Sequence, residues 1–146
     1  MYYFVEERDG GSKYGYTEVS IEPLTGEVLG VVITLSPTRR IPMPAVEGKE
    51  EFFDEGLVRV DTAAWRPNPD NVPTIGRVDE QAHLSVAENQ RRVYFAINEI
   101  EPVRWIMSGP VGFGIGASSE LTGILAEKGS GEWAERLASY VDRDLV

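Results

Sequence analysis

The chain contains no cysteine and only one histidine, His83, and its 24 acidic side chains outnumber 14 basic ones. The missing cysteines exclude a disulfide scaffold, a thiolate metal site and a cysteine nucleophile. One imidazole leaves zinc without its usual set of ligands. Long apolar runs are missing too. The longest, Val28 to Leu35, has the length of a strand and falls far short of the ~20 residues that span a bilayer. The opening stretch Met1 to Val5 is too short for a signal-peptide core and is followed at once by Glu6, Glu7 and Arg8. Positive charge is scarce. A formal net charge of −10 disfavours the phosphate backbone of nucleic acids, which calls for a basic face, and disfavours anionic membranes. These absences point to a cytoplasmic protein that uses no cofactor, holds no metal, and engages neither nucleic acid nor a membrane directly.

What is present is a globular composition. A chain of 146 residues, 42% of them hydrophobic, can bury roughly 70% of the surface that its unfolded form exposes. A single domain over residues 1–146 is expected, with no need of a staple.

Residues 2–5 read as a first strand, ended by Asp9-Gly10-Gly11. A hairpin follows, with Tyr16 to Ile21 as one arm, Pro23-Leu24-Thr25-Gly26 as the turn and Glu27 to Leu35 as the other. Leu29, Val31, Ile33 and Leu35 alternate toward one face. Ser36 to Pro44 carries three prolines and the pair Arg39-Arg40, so it is extended and loop-like. Leu57 to Ala63 alternates as a strand, and a proline- and asparagine-rich loop runs from Trp65 to Pro73.

Residues 85–98 fit two patterns. Ser85-Val86-Ala87-Glu88 is a capping box, and Val86, Gln90, Val93 and Ile97 recur at helical spacing. Val93-Tyr94-Phe95-Ala96-Ile97 has strand propensity, and Ala87 to Gln90 could be a hairpin turn. The start and stop signals favour the helix. Val103 to Met107 reads as a strand. A helix is expected from Ser118 or Ser119 to about Lys128, and another near Glu132 to Arg143, where Trp133, Leu137 and Val141 share a face. The expected fold is α+β: an antiparallel or mixed sheet of about five strands, with helices packed mainly on one face and two of them C-terminal.

Gly112-Phe113-Gly114-Ile115-Gly116-Ala117 satisfies the loose dinucleotide pattern G-x-G-x-x-A. It lacks the β-α-β context that pattern requires. Strict alternation of glycine with large apolar residues fits better with a strand bare on one face, onto which an aromatic such as Trp105 or Tyr94 could pack closely. His83 has no G-x-S-x-G elbow to partner it. No catalytic set emerges.

Glu47, Glu50, Glu51, Asp54 and Glu55 surround Phe52 and Phe53, with only Lys49 to offset them. Together with Trp65, they are the candidate partner-binding residues: aromatic anchors within an acidic rim. The plainer reading is an amphipathic turn with both phenylalanines in the core. The expected function is a non-catalytic acidic binding module, an inhibitor of immunity or antitoxin type, that occludes a basic partner such as a toxin or a nucleic-acid enzyme. The alternatives are a small enzyme using carboxylate acid–base chemistry in a pocket beside the glycine-rich strand, and a structural or assembly subunit.

Overall fold

A computed structural model describes residues 1–9, 12–52, 58–63 and 76–129. Among the described residues, ten strands make up nearly all of the regular structure: β1 (Tyr2–Asp9), β2 (Ser12–Ile21), β3 (Val28–Leu35), β4 (Glu50–Phe52), β5 (Arg77–Gln81), β6 (Ser85–Glu88), β7 (Arg92–Ala96), β8 (Arg104–Ser108), β9 (Val111–Ile115) and β10 (Leu121–Glu127). They form a four-stranded sheet, in the order β3-β2-β1-β5, and a six-stranded sheet, in the order β4-β8-β9-β10-β7-β6. Most pairs are antiparallel, but β5 lies parallel to β1 and β4 parallel to β8.

This corrects the expected α+β fold: among the described residues there is no α-helix. Residues 85–98 are the hairpin β6–β7. Its turn is closed by the Asn89 side chain, which accepts from the Arg91 and Arg92 amides at 2.9 and 2.8 Å. The segment expected to be a helix from Ser118 is instead a tight turn, with Ser119 at φ 67°, leading into β10. In β7 the strand is buried on both faces, so Val93 to Ala96 is a continuous apolar run without alternation, and such runs mimic helical spacing; before β10 it is the serines of the turn that resemble a helix cap. The expected helix near Glu132 to Arg143 lies outside the described residues.

The hairpin β2–β3 turns as expected, with Gly26 at φ 75°. Its second arm carries a bulge. Ser20 pairs with Gly30 but Ile21 pairs with Val28, so Leu29 is the extra residue. A bulge inverts the alternation that follows it. Val28, Val31 and Ile33 therefore face the other sheet, while Leu29, expected in the core, is 66% exposed. Val103, also expected inside, is exposed in the turn before β8.

The layer between the sheets brings Val28 and Val31 of β3 onto Phe113, Ile115 and Ile124, and Val5 of β1 onto Leu84 and Ile97. The opposite face of the six-stranded sheet is buried as well, around Tyr94, Trp105, Met107 and Leu125, with Val46, Ile41 and Met43 packed over it. Trp105 and Tyr94 meet edge to face, ring centroids 5.2 Å apart. The glycine-rich strand makes room for them. A methyl at Gly114 would come within 3.1 Å of the Trp105 ring, and one at Gly123 within 2.4 Å of the Phe95 carbonyl and 2.5 Å of the Tyr94 ring. That face is filled by protein, so the glycines serve close packing, as the alternation suggested, and not a pyrophosphate.

Gly123→Ala should therefore cost about 1–3 kcal/mol through overpacking. Gly30→Ala, which meets nothing within 4 Å, should change stability by less than about 0.5 kcal/mol. Urea denaturation measures both, and equal costs would contradict this packing.

Candidate functional site

Residues 36–49 run as an extended strap across the outer face of the six-stranded sheet, from one edge strand to the other. Proline excludes a helix here and keeps the backbone extended. At one edge the strap pairs with β6: Val86 N–H donates to the Arg39 carbonyl (2.8 Å), and Ile41 N–H donates to the Val86 carbonyl (3.0 Å). Midway, Trp105 Nε1–H donates to the Ala45 carbonyl (2.9 Å). At the far edge Trp105 N–H donates to the Lys49 carbonyl (2.8 Å), and the chain passes into β4. The strap so covers edge groups that would otherwise invite another chain.

Two charged clusters fasten it. Arg92, 9% exposed at the side chain, meets Glu47 at 3.2 Å, Glu50 at 3.4 Å and Glu127 at 3.2 Å. At the other end, Glu7 of β1 lies 3.1 Å from Arg39 and 3.0 Å from His83 Nδ1, and accepts from the Leu84 amide at 2.8 Å. Burial works to raise the Glu7 pKa. The hydrogen bonds from His83 and Leu84, with the Arg39 and His83 charges, outweigh it and hold the carboxyl below its ordinary value.

A cleft of about 430 Å³ opens between the strap and the sheet. Ile41 to Ala45 form one wall, Ala96 and Tyr94 the floor, and Asn98 to Pro102 the opposite lip. Burial pushes the Tyr94 phenol up to about 12, with its bond to Thr122 pulling partly back. Ser85 also lines the cleft. It lies two residues before Ala87 on β6 and so shares the face of Ala87, Tyr94 and Ala96. Glu99 and Glu101 stand exposed on the lip, flanking Ile100, which is 44% exposed, with Val103 at 48% beyond. Neither glutamate has a hydrogen bond or ion pair among the described residues.

The structure separates the sequence-derived candidates. Glu47 and Glu50 converge on Arg92, while Glu51 pairs with Arg104 at 3.3 Å. Phe52 ends β4. Phe53, Asp54, Glu55 and Trp65 lie outside the described residues. Sequence reasoning passed over Ser85, Glu99 and Glu101. Glu-Ile-Glu-Pro, an apolar residue between two acids before a proline, was the available signal for an exposed lip. Among the described residues, no group of three or more His, Asp or Glu side chains converges as a metal site would require, and no helix is long and apolar enough to cross a membrane.

The Glu7 cluster predicts a pH dependence. Because the native pKa is lowered, the link contributes stability that is fully present above the ordinary carboxylate value of about 4.5 and is lost as pH falls through the lowered native value. Glu7→Gln should lower Tm at pH 7, and the gap from the parent should close as thermal scans move toward pH 3. A gap independent of pH would show that the Glu7 charge does not hold the strap.

Compared with known proteins, the chain matches no family model and no curated sequence.

Proposed function

We propose that the protein is a non-catalytic acidic binding module that occludes a basic protein partner, in the manner of an immunity protein or antitoxin. The observation that carries this reading is the lip of the cleft. Glu99 and Glu101 have no cation to neutralise them among the described residues, and they bracket the exposed apolar side chain of Ile100. Apolar anchors with a charged rim are the composition of a protein interface. A net charge of −10 adds a long-range field that speeds encounter with a cationic surface and rejects acidic ones. Glu51 supports the same reading more weakly. It is exposed and paired at the surface with Arg104, where such pairs contribute little and a partner's arginine competes on equal terms. Glu50, at 13% side-chain exposure against Arg92, belongs to the scaffold.

The partner this chemistry fits is a toxin or nucleic-acid enzyme whose lysines and arginines hold a substrate phosphate, met in the cytoplasm. A carboxylate enzyme fits less well. The Glu7 carboxyl beside the sole histidine is held down, whereas a general acid at neutral pH needs its pKa raised.

Binding to a panel of purified basic nucleic-acid-cleaving enzymes tests the proposal. At least one should be bound and inhibited, with an association rate that falls roughly tenfold as salt rises from about 50 to about 500 mM. An association rate indifferent to salt, or turnover of a compound by the protein alone, would overturn the reading.

A further inference from the structure

We infer that the cleft beneath the strap seats an extended peptide segment of the partner in which an apolar side chain adjoins an arginine or lysine. This rests on the binding-module reading and names the chemistry of its central contact. Three observations converge on it.

The first is shape. The cleft holds about 430 Å³, room for two or three side chains but not for a folded element. Its walls are aliphatic: Ile41, Met43, Ala96 and Pro102. An apolar side chain entering between the strap and the sheet would replace water against these groups.

The second is Ser85. The residue is only 5% exposed, lines the cleft, and its hydroxyl has no hydrogen-bond partner among the described residues. Among the described residues, the fully buried side-chain polar atoms that lack a partner are Arg92 Nε and Glu120 Oε2, so the Ser85 hydroxyl opens onto the cleft, where it can both donate and accept. The peptide backbone carries the complementary N–H and C=O groups.

The third is charge. At the inner end of the cleft, Arg39 is offset by Glu7. At the lip, Glu99 and Glu101 are offset by nothing among the described residues. The imbalance is negative and lies where the residue next to an inserted apolar side chain would emerge. Successive side chains of an extended segment point to opposite sides, so apolar-in and basic-out satisfies both requirements. Arginine and lysine also carry apolar stems that would cover Ile100.

The test uses fluorescence anisotropy and amide NMR shifts with two short synthetic peptides, one alternating leucine and arginine, the other alternating leucine and glutamate. The leucine–arginine peptide should bind and shift the amide signals of Ile41, Ser85, Ala96 and Asn98, and the leucine–glutamate peptide should not. Glu99→Gln combined with Glu101→Gln should weaken binding roughly tenfold. Ala45→Trp, at an exposed position on the cleft wall, should abolish binding while the remaining amide spectrum reports an intact fold. Equal binding of the two peptides, shifts confined to another face, or an Ala45→Trp protein that still binds would overturn the inference. An Ala45→Trp protein that still inhibits a basic enzyme at the parent salt-dependent rate would leave the binding-module reading standing and remove this one.

Discussion

The edge-to-face contact between Trp105 and Tyr94 sits on backbone that glycine has left bare, at Gly114 and Gly123. The two rings lie on β8 and β7, with β9 and β10 between them, so they meet across the bare backbone of Gly114 and Gly123, beside Thr122, whose hydroxyl accepts from the Tyr94 phenol. Their depth fixes everything above them. The indole donor reaches the Ala45 carbonyl only while the ring lies low. The strap packs Ile41 and Met43 onto the same cluster only while it runs close to the sheet. A side chain in place of either glycine would lift the rings, and the strap and the cleft wall it forms would lift with them.

The strap adds a third layer to a two-sheet fold, and its ends need more than apolar contact. Arg92 carries one end. A guanidinium buried to this degree loses most of its hydration, and that loss is offset only when several carboxylates replace water around it. Glu47, Glu50 and Glu127 do so. Removing the arginine would leave Glu50 buried beside two other negative charges, so the cluster is a register device as much as an attraction. Glu7 plays the reciprocal part at the other end, a carboxylate held by Arg39, His83 and a backbone amide. Each anchor pairs a strap residue with a strand of one of the sheets, and together they fix where the cleft opens.

How much of this the sequence discloses depends on how many faces each strand buries. The hairpin β2–β3 was legible from its Pro-Leu-Thr-Gly turn and its alternation, and β8 and β9 from theirs. Even there the bulge put Leu29 outside and Val28 inside, while Val31 and Ile33 face inward as the alternation indicated, because an extra residue is invisible to a count of two. The strand β7 was legible only as the alternative to a helix, and β10 was not legible as a strand. Val93-Tyr94-Phe95-Ala96 is covered by the other sheet on one side and by the strap on the other, so nothing polar marks its period. Ser118 and Ser119, which resemble a helix cap, serve a turn with one left-handed residue. The packing role of the glycine stripe was readable because alternation with glycine has few other uses. The cleft was not, since it depends on a strap whose resting place follows from tertiary contacts.

A count of acidic residues treats every carboxylate as available, and the fold does not. Glu47, Glu50 and Glu127 surround Arg92, Glu7 faces Arg39, Glu27 meets Arg59 and Glu88 meets Lys128. The acid-rich segment that dominates the sequence is therefore partly spent on holding the strap in place. Glu99 and Glu101 stand outside this network. Their position follows from Pro102, buried at the end of the cleft, which turns the chain outward and leaves Ile100 with them at the surface. On the proposed reading, these two carboxylates stand at the mouth of a preformed cleft, beside a Ser85 hydroxyl that opens onto it without a partner among the described residues, and a basic segment of the partner would supply a cation, an apolar side chain and a hydrogen bond together.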